Sequence, residues 1–238
     1  MRFLLLSSLC LSILIFPASA QDLSSILESH YKAASQEKMG QVETIISTGK
    51  NSFVSAGFEL SFRIFQARPD KLRVEENYPG AEVIQTYDGE KAWKFAPAMG
   101  IPEAVEITGE ELNTLLGQVQ FEDPLWNYAE KGADLQLLNS EREECYHLLY
   151  KMSKGEELHF YIDRDKYLIS AITSKQLLRG TETETEVRLE DYKKVKGIPF
   201  ARRITTLMNG QVLTEIHIDK VELNRPLDSG LFEKPGKE

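Results

Sequence analysis

The sequence predicts a mainly β fold with a few α-helices, in which one large antiparallel sheet takes up most of the chain. From residue 42 onward, apolar and polar residues alternate with the period of two that is typical of strands. Turn-forming residues recur at short intervals, so the strands are joined by short connections and pair antiparallel. About a dozen such strands are too many for a flat open sheet, and the sheet is therefore expected to curl or to close.

The first twenty residues have the features of a secretory signal peptide. Arg2 supplies a positive charge, residues 3–16 are apolar, and Ala18 and Ala20 form a small-x-small cleavage site before Gln21. We therefore expect residues 1–20 to be removed and residues 21–238 to form a single exported domain. In a bacterium with two membranes, the expected location is the periplasm.

The overall charge argues against nucleic acid as a partner. The chain has 37 acidic and 28 basic residues and a formal net charge of −9, whereas phosphate contacts require clustered lysine and arginine. Of the two cysteines, Cys10 lies in the signal peptide, so Cys145 cannot form an internal disulfide in the processed chain. We expect a monomer that uses no cofactor.

The sequence offers no catalytic constellation. It contains no glycine-rich phosphate loop, no nucleophile elbow and no His-Glu-x-x-His motif. Cys145 and His147 would face the same way on a strand and could form a thiol–imidazole pair, but a buried structural thiol is the favoured interpretation. We therefore expect no catalytic residue and no enzymatic activity.

The remaining candidate ligands are also expected to bind no metal. A hairpin turn at Lys154-Gly155 would pair His147 with Ile162 and would pair His159 with Tyr150. That register keeps the two histidines apart. An acidic row is interpreted as the solvated outside of a strand rather than a cation site; it consists of Glu182, Glu184 and Glu186.

Three segments are predicted to be helical. Asp22 is a suitable N-cap for a helix that extends to Ala34. Thr108 and Glu111 have the spacing of a capping box. Asp123-Pro124 is an N-cap followed by a first-turn proline, and it begins a third helix that Gly132 ends. The apolar stripe of the second helix consists of Leu112, Leu115, Leu116 and Val119.

A hairpin is predicted where Asp88-Gly89 supplies a two-residue turn. Folding the chain at this turn pairs Ile84 with Trp93 and Glu82 with Phe95. Because opposed residues share a face of the sheet, Ile84, Trp93 and Phe95 are expected to lie on one side of the hairpin.

An arginine ends an apolar row on another predicted strand. Every second residue from Phe58 to Ile64 is apolar, and Arg68, directly before Pro69, continues this alternation and would lie on the same face of the strand. A charge on the apolar face of a sheet is costly unless it is paired. Free carbonyl groups at the end of a covering helix would be suitable partners for its guanidinium.

Three stretches of the sequence resemble the periplasmic lipoprotein carriers of the LolA-like superfamily; they are residues 62–74 (FRIFQARPDKLRV), 83–97 (VIQTYDGEKAWKFAP) and 231–235 (LFEKP). The shared features are an apolar strand ending in Arg-Pro, an Asp-Gly hairpin followed by a tryptophan, and a C-terminal Phe-x-x-Pro. The resemblance implies an unclosed, strongly curved antiparallel β-barrel with a helical lid over a hydrophobic cavity. It also implies transport of acyl chains of lipoproteins, or of other lipids, toward the outer membrane, with transport partners in the inner and outer membranes.

The same resemblance gives Arg68 the role of a lid latch, which bonds to the lid in the closed form and releases it on opening. Apolar residues of the strands and the lid helix would then bind lipid; these are Phe58, Leu60, Phe62, Ile64, Leu72, Val74, Ile84, Trp93, Phe95, Leu112, Leu115, Leu116 and Val119. The alternative is a non-enzymatic envelope assembly factor or chaperone-like interaction module on the same scaffold. Such a module would have a solid core and an exposed patch for a protein partner.

Overall fold

The computed structural model of the protein describes residues 22–153, 155–178 and 181–236, and the expected signal peptide lies outside them. Most of the described residues belong to strands. The strands are β1 (Thr44–Phe53), β2 (Phe58–Ala67), β3 (Lys71–Tyr78), β4 (Ala81–Tyr87), β5 (Ala92–Ala96), β6 (Ile101–Glu106), β7 (Asp134–Leu138), β8 (Cys145–Lys151), β9 (Glu157–Asp163), β10 (Ile169–Leu178), β11 (Thr181–Glu190), β12 (Lys193–Val195), β13 (Ile198–Phe200), β14 (Arg203–Met208) and β15 (Gln211–Leu223).

Thirteen strands of the described chain form one antiparallel sheet. Their spatial order is β6-β5-β4-β3-β2-β1-β15-β14-β11-β10-β9-β8-β7, while β12 and β13 form a separate small hairpin. The strands β6 and β7 are the two edges, since β6 pairs with β5 and β7 pairs with β8. The sheet is therefore unclosed, and the prediction of a mainly β fold on a large antiparallel sheet is confirmed.

Three α-helices accompany the sheet: α1 (Leu23–Ala34), α2 (Gln36–Met39) and α3 (Gly109–Leu116). The carboxylate of Asp22 accepts a hydrogen bond of 2.8 Å from the Ser25 backbone N–H, so the predicted N-cap of α1 is confirmed. Short 3-10 turns occur at Pro97–Met99 and Ser229–Phe232. In the described chain, every helix is too short or too polar to cross a bilayer.

The helix predicted after Asp123-Pro124 is wrong. Residues 124–132 form consecutive turns instead. The left-handed backbone of Asn127, with a φ of 52°, interrupts the helical path, because consecutive helical residues need negative φ. The capping box of α3 is also not formed by the described residues: Thr108 is the N-cap without a side-chain bond, and the Glu111 carboxylate accepts from Lys94 Nζ at 2.9 Å.

The predicted register of the β4–β5 hairpin is wrong by two residues. Ile84 pairs with Phe95, and Trp93 pairs with Thr86. The turn is longer than the two residues expected, because the Asp88 backbone N–H donates to the Lys91 carbonyl oxygen at 3.1 Å. A register shift of two residues leaves each side chain on the same face of the sheet. The prediction that Ile84, Trp93 and Phe95 share a face is therefore confirmed.

The three helices pack on the same face of the sheet, which we call the inner face. Apolar side chains of α1 contact the inner face of β7–β10, where Ile26 and Leu27 meet Leu148 and Phe160. The end of α2 packs near β1 and β15 through Met39. Helix α3 covers β2, β3 and β5. These contacts bury apolar side chains on the inner face of most strands, and this burial provides the main stabilisation of the fold.

Candidate functional site: a cavity on the inner face

Arg68 follows the end of β2 and ties three parts of the chain together. Its Nε donates to the Val42 carbonyl oxygen at 2.7 Å, and its Nη2 donates to the Met39 carbonyl oxygen at 3.2 Å and to the carboxylate of Glu122. The guanidinium also lies 4.6 Å from the ring centre of Phe121. Met39 is the last residue of α2, so the expected partner, a carbonyl at the end of a covering helix, is confirmed.

Glu122 belongs to the chain that runs from α3 to β7, which we call the lid segment (residues 117–133). The Arg68 side chain is only 23% exposed where it meets this segment. Its partners on α2 and on the lid segment are thus held by a single side chain. This geometry is what a latch between the sheet, the helices and the lid would require.

A second, fully buried contact holds the neighbouring residue of the lid segment. His30 of α1 is 1% exposed, and its Nε2 lies 3.1 Å from Asp123 Oδ2. Its Nδ1 donates to the Tyr167 carbonyl oxygen at 2.8 Å, because a carbonyl can only accept. The contact with Asp123 lacks hydrogen-bond alignment, so it is best described as an ion pair between an imidazolium and a carboxylate.

The charge of His30 follows from competing effects. Burial alone would lower the pKa of His30, but the Asp123 carboxylate and the Tyr167 carbonyl together more than offset it. The pKa of His30 therefore lies above its ordinary value, and the protonated form is favoured. The role of His30 could not be predicted, because a lone histidine on a predicted helix gives no sign of its partner 93 positions away.

Further bonds attach the lid segment to α1 and α2. The Tyr31 hydroxyl donates to the Leu125 carbonyl oxygen at 2.7 Å, and the Tyr31 ring lies edge-on to Trp126 with 4.9 Å between ring centres. Burial and the nearby Asp123 raise the pKa of Tyr31 to about 12, so its hydroxyl remains a donor at any physiological pH. The lid segment is therefore fixed by several polar contacts rather than by one.

A cavity of about 260 Å³ lies beside these contacts, between α1, α2, the lid segment and the inner face of the sheet. His30, Glu122 and Asp123 form its polar edge. The rest of the lining is mainly apolar and comes from parts of the chain far apart in sequence; it includes Ala34, Met39, Leu189, Phe200, Ile204 and Ile218. This volume is just below the range of typical ligand pockets, about 300–1,000 Å³.

The residues predicted to bind lipid do not line this cavity. Seven of them pack against one another beneath α3 in the cluster that also contains Ala92 and Ile107; they are Ile64, Leu72, Val74, Leu112, Leu115, Leu116 and Val119. Leu60 and Phe62 are buried on β2, and Phe58 is exposed and stacks on Phe53. Their role in lipid binding stays a prediction.

Ile84, Trp93 and Phe95 lie on the opposite, outer face of the sheet. The residues that alternate with them, Gln85 and Lys94, both contact Glu111 of α3. Ile84 and Phe95 instead line a cavity that C-terminal residues such as Leu231 and Pro235 also border. The apolar face of this hairpin could not be related to the apolar face of β2 and β3 beforehand, because that relation depends on the register of β3 with β4.

The expectation that His147 and His159 stay apart is wrong. The β8–β9 register pairs His147 with Tyr161 and His159 with Leu149. Nε2 of His147 lies 2.8 Å from Nδ1 of His159 on the outer face. Burial and the neighbouring His147 lower the pKa of His159. The described residues contain no group of three or more metal-ligating side chains.

Cys145 and His147 do not form a thiol–imidazole pair. The thiol is 3% exposed, and its Sγ lies 3.4 Å from the Ser170 hydroxyl oxygen, whereas His147 contacts His159.

In the acidic row on β11, the carboxylate of Glu186 forms ion pairs with Arg142 and Arg188, which neutralise its charge.

Solved structures share this architecture. A LolA superfamily protein from Nitrosomonas europaea is 15% identical, with a TM-score of 0.58, and the match covers 87% of this chain and 97% of that one. A DUF1329 family protein from Desulfovibrio piger is 13% identical with a TM-score of 0.61 and the same coverage. The chain has a LolA-like fold.

A further LolA-like structure is a domain from Vibrio parahaemolyticus named for outer membrane lipoprotein sorting. It is 12% identical, with a TM-score of 0.58, and the match covers 87% of this chain and 97% of that domain. No protein-family model matches the sequence, and no curated protein matches it. At these identities the likeness establishes the fold, and the function has to be argued from the site.

Proposed function

We propose that the protein is a non-enzymatic periplasmic carrier, which binds acyl chains of lipoproteins or of other lipids on the inner face and moves them toward the outer membrane. The observation that carries this proposal is the contact of Arg68 with both α2 and the lid segment at the border of an apolar cavity. The name of the Vibrio parahaemolyticus domain supports the same class of cargo.

The size of the cavity implies that binding requires the lid to move. At about 260 Å³ it is smaller than a typical ligand pocket. Each buried methylene is worth about 0.8 kcal/mol, so full burial of a sixteen-carbon chain would gain roughly 12 kcal/mol and would make release very slow. A lid that closes through polar contacts offsets part of this gain, and it gives the protein two states between which cargo can exchange.

Opening the lid would extend the cavity toward the residues beneath α3. That apolar cluster ends at Val119, close in sequence to the latched Glu122. Loss of the Arg68–Glu122 contact, together with the contacts of Asp123 and Leu125 with α1, would let α3 and the lid segment separate from β2 and β3. The predicted lipid-binding residues Leu72 and Val74 would then become accessible to an acyl chain.

A second candidate function rests on the packing in the closed form. The cluster under α3 is already filled by its own side chains, as a module without cargo would require. On this alternative the protein is an envelope assembly factor or chaperone-like module that binds a protein partner. The two candidates differ in whether the inner face accepts an acyl chain.

The test is titration of the exported, purified protein with a fluorescent fatty acid. The carrier proposal predicts saturable binding, and Arg68→Leu should tighten probe binding roughly tenfold, because the closed form that competes with binding loses a hydrogen bond to a charged group, which is worth about 1.5–3 kcal/mol. Arg63→Leu is the matched control, because Arg63 lies on β2, five residues before Arg68, but is exposed beside Glu75. Absence of saturable binding in the wild-type protein would reject the carrier proposal in favour of the interaction module.

A further inference from the structure

Four hairpin tips lie side by side at one end of the sheet, and we call them the apolar rim (residues 53–58, 78–81, 96–102 and 208–214). They join β1 to β2, β3 to β4, β5 to β6 and β14 to β15. These eight strands are successive neighbours in the sheet, so their tips form one continuous row.

Contacts between the tips support this row. The Val54 backbone N–H donates to the Leu213 carbonyl oxygen at 3.0 Å, which joins the first tip to the last. The rings of Phe58 and Tyr78 lie 6.1 Å apart, which joins the first tip to the second.

The apolar rim is uncharged, unlike the opposite end of the sheet. None of its residues is Asp, Glu, Lys or Arg, although 27% of the chain is charged. The turns at the other end of the same strands contain the charged stretches Arg-Pro-Asp-Lys (residues 68–71) and Asp-Gly-Glu-Lys (residues 88–91). The strands therefore run from a charged end to an uncharged one.

The rim also holds most of the exposed apolar side chains. Of the six large hydrophobic residues that are exposed in the described part of the chain, four are in the rim and are 36–51% exposed; these are Val54, Phe58, Met99 and Val212. Exposed apolar side chains gathered at one end of a folded protein are a candidate interaction surface.

The composition of the rim fits a lipid surface. Four separate tips, each with apolar or aromatic side chains, can enter a fluid planar interface together, whereas a protein partner would need a matching hollow for each. Aromatic residues such as Phe58 and Tyr78 are favoured at the headgroup level of bilayers. The lack of basic residues, in a chain of net charge −9, argues against attraction by anionic lipids.

We propose that the apolar rim docks on a zwitterionic lipid bilayer by inserting these exposed side chains into the boundary between headgroups and acyl chains. Apolar area buried in that boundary contributes to membrane binding in its own right, in addition to any attraction between basic residues and anionic lipids. The proposal concerns the outside of the molecule and does not depend on acyl chains binding in the inner cavity.

The test is flotation of the exported, purified protein with phosphatidylcholine vesicles. Wild-type protein should float with the vesicles, and its binding should persist at 0.5 M salt because exposed charges are then screened within about 4 Å. The double variant Met99→Glu/Val212→Glu should lower the vesicle partition coefficient at least tenfold. The matched control is Val105→Glu/Leu137→Glu, which changes two similarly exposed residues on the edge strands and should change partitioning less than twofold.

Three results would overturn the proposal: no flotation of wild-type protein, equal losses in both double variants, or binding only to anionic vesicles at low salt. If the Glu variant loses its circular dichroism spectrum, Met99→Ser/Val212→Ser replaces it, with a threefold or greater loss expected. If the wild type forms a dimer but does not bind vesicles, and the rim variants are monomers, the rim is an interface with a second copy of the chain instead. Fatty-acid binding measured on the same variants should be unchanged.

Discussion

Replacing Asp123 by asparagine is expected to destabilise the protein in a pH-dependent way. The substitution keeps the size of the side chain and removes the carboxylate that faces His30 Nε2 at 3.1 Å. His30 is 1% exposed, so solvent cannot replace the lost partner. In the variant, burial remains and favours the neutral imidazole, so folding below the ordinary pKa of histidine, about 6.5, requires release of a proton.

The sign of the effect follows from the raised pKa of His30 in the wild-type protein. A raised pKa contributes stability that is fully present below the pKa of the unfolded chain and is lost as pH rises through the folded value. Breaking a buried ion pair costs about 3–5 kcal/mol, and the amide of asparagine recovers part of this. We therefore expect Asp123→Asn to lower the free energy of unfolding by about 2 kcal/mol at pH 5.5 and by much less at pH 9.

Equilibrium urea unfolding at the two pH values measures this difference. Glu215→Gln is the matched control, because the Glu215 carboxylate faces His217 Nε2 at a similar distance, 3.0 Å, but both side chains are partly exposed to solvent. An exposed pair of this kind is worth about 0–1 kcal/mol, so the control should change stability little at either pH. An equal loss for Asp123→Asn at pH 5.5 and pH 9 would refute the assignment of a charged His30.

Two further substitutions test the packing that holds the inner face. Gly49→Ala should lower the free energy of unfolding by about 3 kcal/mol, since a Cβ there would lie 2.1 Å from the His217 carbonyl oxygen and 2.8 Å from Phe62 Cζ. Gly40→Ala is the control, because a Cβ at that position would have no atom nearer than 3.6 Å. A similar loss of stability in both variants would contradict this prediction. Leu115→Ala should cost about 3 kcal/mol through the cavity that it leaves under α3, and a change below 1 kcal/mol in urea unfolding would mean that α3 is not docked.

The strands and the first helix could be predicted from sequence because their signals are local. Alternation of apolar residues located most of the strands, and the side chain of Asp22 located the start of α1. The third predicted helix failed because the left-handed backbone at Asn127 overrides an N-cap signal at Asp123-Pro124. Strand β6 was missed, since Pro102 and its acidic neighbours interrupt the alternation.

Registers were harder to predict, because they depend on turn lengths that the sequence does not fix. The backbone N–H of Met152 donates to the Glu156 carbonyl oxygen, so the β8–β9 turn is one residue longer than Lys154-Gly155 suggested. That one additional residue shifts the register by one, so that the side chains of His147 and His159 lie on the same face and in contact.

The candidate site was predicted in part. The position of Arg68 on the apolar face of a predicted strand indicated that it would need buried partners, and in the structure it has them. The cavity lining was missed, because it combines helix residues near the N-terminus with Leu189, Ile204 and Ile218 from distant strands. Only the tertiary arrangement brings these residues to one place.

Photo-crosslinking with a diazirine-bearing fatty acid, followed by peptide mapping, tests the central claim most directly. Lipid carriage on the inner face predicts saturable labelling of the cavity and of the residues beneath α3, such as Phe121, Leu189 and Leu72. Unlabelled fatty acid should compete for this labelling, and Arg68→Leu should increase its rate. Labelling confined to the outer face or to the apolar rim, or no saturable labelling at all, would contradict the claim.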